Sequence, residues 1–295
     1  HLALVFENER LTFEELDRRV SRIANALSDL GLVKGDRIAT VLENCVEVIE
    51  LYHAAARTGL VVVPLSPLLR GSGLTNLLND SGARILITNV AQVPEIDRVR
   101  ADLPGIPADR YVLVDGAAPG YLSYHGLAKA AERESRAEAI DRDDPFNIIY
   151  SSGTTGLPKG IVHTHAIREA YCTGFAASYR IHPESVVLHS GSLVFNGAFL
   201  TLMPAFYLGC TYVLMPRFDA DRLIEAVERE RVTHTMLVPS QLIALLERPD
   251  FREEQCGSLE MICSVGAPLH VRHKEELERR LPGRFYELYG LTEGF

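Results

Sequence analysis

Residues 150–160 read YSSGTTGLPKG, with three glycines, five hydroxyl side chains and one lysine in eleven positions. NIIYSS (147–152) runs into this stretch and reads as a short strand, and HAIREAYCTGF (165–175) beyond it reads as a helix. The order predicted is strand, Gly/Ser/Thr loop, helix, which are the parts of a phosphate site. Glycines let backbone N–H groups approach an anion, hydroxyls add donors, and Lys159 adds a mobile positive charge. A Walker A loop needs Gly immediately before the Lys and Ser or Thr after it, whereas here Pro158 precedes Lys159 and Gly160 follows. The dinucleotide pattern G-x-G-x-x-G is absent as well.

Strand and helix patterns alternate on both sides of the loop. Upstream, LTFEELDRRVSRIANALSDLGL (11–32) sets Phe13, Leu16, Val20, Ile23, Ala24, Leu27 and Leu30 at steps of three and four, an amphipathic helix with Thr12 and Glu15 as a capping box. DRIATVL (36–42), LVVVPLS (60–66), ARILIT (83–88) and YVLVD (111–115) read as buried strands, with a helix over VEVIELYHAAARTG (46–59). Downstream, VVLHS, TYVLM, THTMLVP, LEMICSV and RFYELYG read as strands. Helices over DADRLIEAVERERV, SQLIALLER and LHVRHKEELERRL lie between them. Such alternation predicts parallel-rich sheets sandwiched by helices, an α/β fold. The polar stretch RESRAEAIDRDDP (133–145) reads as a linker, dividing the chain into α/β subdomains at 1–143 and 144–295.

Composition narrows the function. The chain has 295 residues and a net charge of -9, which argues against nucleic acid as a partner. Its five cysteines are widely spaced with no CxxC, so a reducing, cytoplasmic setting with buried thiols is expected. The longest apolar stretch, TLMPAFYLGCTYVLMP (201–216), is too short for a membrane span and reads as helix, turn and strand, so no transmembrane segment is expected. His163 and His165 form an HxH pair without further ligands at metal spacing, and read as packing residues. A homodimer is left open.

YSSGTTGLPKG resembles the signature loop of the adenylate-forming superfamily, which includes acyl- and aryl-CoA synthetases, luciferases and the adenylation domains of peptide synthetases. LTFEEL (11–16), RTGLVVVPLSP (57–67), SVGAPL (264–269) and YELYGLTEG (286–294) resemble further motifs of that family, in the same order. The resemblance spans essentially the whole chain and is nearest to acid–CoA ligases. It implies the large N-terminal domain of such an enzyme, with the ribose-binding aspartate, hinge and small C-terminal domain absent and the start clipped. The activity implied is ATP-dependent conversion of a carboxylic acid to acyl-AMP, then a thioester with coenzyme A in the full-length enzyme. An acyl-AMP ligase loading a carrier protein, and a non-catalytic adenylate-binding fragment, stay open. The chain alone is expected to be inactive or weakly active.

The resemblance also implies roles. Ser151, Ser152, Gly153, Thr154, Thr155, Gly156 and Lys159 would hold the departing phosphates. Thr292 would touch the α-phosphate and Glu293 would ligate Mg2+. Tyr289 and Gly290 would lie against the adenine, Gly266, Ala267 and Pro268 would line its other side, and Glu287 would accept from its amino group. The acyl pocket would be lined by Val194, Phe195, Asn196, Gly197, Phe199 and Gly266, with Phe195 or Asn196 where the family often carries a histidine. Residues 190–206 contain no acidic side chain, so a substrate ammonium would lack a partner. A fatty or aryl acid fits better than an amino acid.

Overall fold

The computed structural model describes residues 1–132, 138–151 and 158–294. Short β-branched runs form the strands. The chain opens with β1 (Leu2–Phe6) and β2 (Glu9–Thr12). Next come β3 (Arg37–Val41), β4 (Val61–Leu65), β5 (Ala83–Thr88), β6 (Tyr111–Leu113), β7 (Leu122–Ser123), β8 (Pro145–Ser151) and β9 (Lys159–Thr164). The last are β10 (Val186–His189), β11 (Thr211–Leu214), β12 (His234–Leu237), β13 (Met261–Ser264) and β14 (Phe285–Glu287).

The strands divide between two compact units. Residues Glu14–Arg168 form one; His1–Phe13 with Glu169–Phe295 form the other. The first unit holds a sheet ordered β7-β6-β5-β3-β4-β8-β9, and the second a sheet ordered β14-β13-β12-β10-β11-β1-β2. Each sheet is parallel except for one antiparallel edge pair, β8–β9 in the first and β1–β2 in the second. These units do not divide at 143/144. β8 pairs in parallel with β4, which keeps residues 145–168 in the first unit. β1 pairs in parallel with β11, which places the first thirteen residues in the second.

Both cores are mainly aliphatic. In the first unit Ala39, Val41, Leu74, Leu86 and Ile96 form one buried cluster. In the second Leu188, Val213, Leu223, Ile262 and Leu277 form another. The amphipathic stretch near the start is helical over Phe13–Asp29, burying Leu16, Val20, Ile23, Ala24 and Leu27; Leu11 and Thr12 belong to β2 instead. Residues 201–216 are helix, turn and strand as expected, with the helix Phe199–Leu208 turning at Gly209 into β11. Cys172, Cys210, Cys256 and Cys263 are buried free thiols, while Cys45 is half-buried. Among the described residues no helix is long and apolar enough to cross a membrane.

Candidate functional site

In the first unit the strands that flank the glycine-rich stretch, β8 and β9, pair antiparallel as a hairpin. The sequence order predicted strand, loop, helix. A further strand intervenes, because Lys159–Thr164 pairs back along β8 before the helix His165–Tyr179 begins. Ser151 stands opposite Lys159 and Tyr150 opposite Gly160. Residues directly opposite in an antiparallel pair share a face, so the Ser151 hydroxyl and the exposed Lys159 ammonium leave the hairpin on the same side. Ser152, Gly153, Thr154, Thr155 and Gly156 lie outside the described residues. His163 is buried within β9. His165 meets the Phe146 ring edge-on at 5.3 Å, and burial lowers its pKa.

In the second unit β10, β12, β13 and β14 run parallel, so their carboxyl ends share one edge, where open α/β sheets place ligands. The segments leaving that edge are tied together. Val265 N–H donates to Leu237 O at 3.1 Å, and Leu288 N–H donates to Ser264 O at 2.9 Å. Gly266 follows with φ +92°, a conformation that a side chain would strain. Gly266, Ala267 and Pro268 are exposed, and a Cβ on Gly197 would lie 3.8 Å from Val265 Cγ1. The structure thus brings the 194–199 segment beside the 264–268 segment.

Individual residues differ in what they present there. Phe195 is 60% exposed and Val194 is half-buried, whereas Phe199 is fully buried in the core. Asn196 is buried too, and its amide Nδ2 donates to the Tyr171 hydroxyl at 3.1 Å. Tyr289 is 89% exposed, next to Gly290. Thr292 and Glu293 form the tip of a tight turn closed by paired hydrogen bonds between Leu291 and Gly294. Glu287 already has partners: Leu269 N–H donates to Oε1 at 3.2 Å and Lys274 Nζ pairs with Oε2. The Lys274 ammonium, with that backbone N–H, holds the Glu287 carboxyl below the usual carboxylate range. His189, at the end of β10, is buried and stacks on Tyr212 at 6.4 Å; burial pushes its pKa down to about 4.

The sequence matches the AMP-binding enzyme family over residues 1–295. The chain belongs to that family. It is 32% identical to the long-chain-fatty-acid–CoA ligase FadD13 of Mycobacterium tuberculosis over 88% of this chain and 50% of the relative. It is 31% identical to 4-coumarate–CoA ligase 2 of rice (Oryza sativa subsp. japonica), over 96% of this chain and 52% of the relative. Among solved structures, ATP-bound MatB from Rhodopseudomonas palustris superposes with a TM-score of 0.88 at 27% identity, covering 99% of this chain and 57% of that one. The chain therefore spans about half the length of the relatives it matches. Its two parallel-rich sheets with helices are the fold of the N-terminal part of such enzymes.

As an AMP-binding enzyme family member the chain carries partners that its motifs did not reveal. Lys274 sits thirteen residues from Glu287, Asp80 seventy from Tyr150, and Tyr171 twenty-five from Asn196. None of these pairs has a spacing signal in one dimension. Among the described residues no group of three or more His, Cys, Asp or Glu side chains is arranged to hold a metal ion.

Proposed function

We propose that this chain is the ATP-binding portion of an acid–CoA ligase that activates a fatty or aryl carboxylic acid. The observation that carries the reading is the β8–β9 hairpin, which sends Ser151 and Lys159 from adjacent strand ends on one face. A hydroxyl donor beside an ammonium suits the β- and γ-phosphates of ATP. In the first half-reaction a carboxylate oxygen attacks the α-phosphorus. The bond from that phosphorus to the bridging oxygen breaks, and pyrophosphate leaves with the electron pair. Lys159, with Ser152 to Gly156, offsets the charge gathering on the leaving group. Thr292 donates to the α-phosphate. In the second half-reaction a coenzyme A thiol attacks the acyl carbonyl, and AMP leaves.

Tyr289, Gly290 and the 266–268 segment supply the adenine contacts on this reading. The exposed Tyr289 ring offers a stacking face beside Gly290, and the Gly266–Pro268 backbone offers an edge. Glu293, beside Thr292 on one turn, is a hard oxygen ligand of the kind a magnesium ion takes alongside phosphates. That ion would screen phosphate charge. For the acid, Val194, Phe195 and Gly197 give an apolar wall without a carboxylate. The named relatives act on a fatty acid and on 4-coumarate, which supports both apolar classes.

The test is thermal melting of the protein with acyl-sulfamoyl adenosines bearing fatty, cinnamoyl, benzoyl and aminoacyl groups. A ligand at a hundredfold excess over its Kd stabilises by about 2.7 kcal/mol. A rise with one apolar group is expected. A rise with the aminoacyl analogue alone overturns the acid class, and no rise with any overturns the adenylate site. Lys159→Ala is expected to weaken ATP by roughly tenfold or more while leaving AMP nearly unchanged.

A further inference from the structure

We propose that Tyr150, Gly160 and Asp80 form a latch that fixes the direction in which Ser151 and Lys159 leave the hairpin; this rests on the reading of Lys159 as a phosphate ligand. Tyr150 and Gly160 are directly opposite each other, one step inside the Ser151–Lys159 pair. A Cβ on Gly160 would lie 3.0 Å from Ile148 Cγ2 and 3.3 Å from the Tyr150 ring. The ring therefore lies over the bare backbone of residue 160, an aromatic side chain covering a strand glycine. A methyl at 160 would press on Ile148 and the ring, which would have to give by a few tenths of an ångström.

The ring is held at its far end as well. The Tyr150 hydroxyl donates to Asp80 Oδ2 at 2.5 Å, and Leu77 O lies 3.5 Å away. Asp80 is the last residue of the helix Gly71–Asp80, whose Leu74, Leu77 and Leu78 belong to the buried core against which Ile148 and Tyr150 pack. Burial, with the Asp80 carboxylate, raises the Tyr150 pKa well above the ordinary phenol value, so the phenol stays a donor through the neutral range. The chain of contacts thus runs from the exposed end of a helix whose inner face is in the core, through a carboxylate and a phenol ring, onto the glycine of the facing strand. Side chains alternate along a strand, so Ser151 and Lys159 point to the face opposite the latch. A shift of the ring would tilt both strand ends and misplace both groups together. Tyr150 and Asp80 are then positioning residues that touch no phosphate.

The experiment uses the full chain and two probes, inorganic pyrophosphate and AMP, titrated calorimetrically into the wild type and four variants. Tyr150→Phe keeps the ring and removes the hydroxyl. Asp80→Leu removes the acceptor, Asp80→Asn keeps an amide oxygen that accepts, and Gly160→Ala intrudes on the ring. Pyrophosphate affinity is expected to fall about tenfold in Tyr150→Phe, Asp80→Leu and Gly160→Ala, with AMP affinity changed less than about twofold. Asp80→Asn is expected to rescue most of the pyrophosphate affinity. Unchanged pyrophosphate binding in Tyr150→Phe overturns the latch while leaving the Lys159 reading intact. Equal losses for both probes, tracking a fall in Tm, make the contact merely structural and also overturn it. A wild type that binds neither probe overturns the Lys159 reading and the latch with it. Should Gly160→Ala fail to fold, Tyr150→Phe still decides.

Discussion

Glu287 has both carboxylate oxygens engaged, one by the Leu269 backbone and one by Lys274. An adenine amino group would therefore join an existing pair instead of meeting a bare carboxylate. The pair is about one-third exposed, so a double-mutant cycle with Lys274→Met and Glu287→Gln is expected to give a coupling of roughly 0.2–1 kcal/mol in urea unfolding. Lys274→Met is expected to change AMP affinity, whereas a surface pair without a role would leave it constant. His189 makes the opposite kind of prediction. Its folded pKa of about 4 lies below the ordinary 6.5, so the unfolded chain takes up the proton first as pH falls. Its contribution to stability is complete above about pH 6.5 and drains away between there and pH 4. Urea unfolding should show His189→Phe losing about 2 kcal/mol less stability than the wild type between pH 7.5 and pH 5. Parallel losses in both proteins would mean that the ring is not held neutral by burial.

Helix ends make the predictions at the scale of the element. Asp219 caps the helix Ala220–Glu230 by accepting the Arg222 N–H at 3.0 Å, so Asp219→Ala should cost about 1 kcal/mol. At the other end of the same helix Arg231 is held at φ 56°, and Arg231→Gly should raise stability by about 0.5 kcal/mol or more. Chemical denaturation of both variants checks the pair. The strands of the sheet centres were legible because a fully buried strand is a continuous apolar run, as in Val61–Leu65. The antiparallel edge strands were not. KGIVHT carries a glycine and three polar or charged side chains, and its strand character comes from pairing with β8 and not from its own composition. ERLT in β2 likewise depends on β1. The candidate site divides the same way. Ser151, Lys159, Gly266 and Tyr289 sit in compact motifs. The contacts that orient their neighbours, Tyr150 to Asp80 and Glu287 to Lys274, join residues whose separation only the folded chain removes.

At the scale of the molecule, two sheets with separate cores imply separable responses to damage. Leu86→Ala opens a cavity in the first unit and Leu277→Ala in the second; both side chains are fully buried. Each should cost about 2–5 kcal/mol, with amide hydrogen exchange accelerated mainly in the unit that carries the change. Uniform acceleration across both sheets would show a single cooperative block. The units also differ in how they are threaded. Glu14–Arg168 is continuous, whereas the other unit takes its first two strands from the start of the chain and the rest from beyond residue 168. Leu2 O accepts from the Thr211 hydroxyl at 3.0 Å across 209 positions of sequence. During synthesis, then, β1 leaves the ribosome well before β11 and waits while some two hundred residues are added before β11 exists to receive it. Its apolar LALVF must stay uncommitted through that interval, with β2 as the sheet neighbour made alongside it. Translation speed through the intervening unit would set how long that hairpin stands exposed to chaperones and to neighbouring chains.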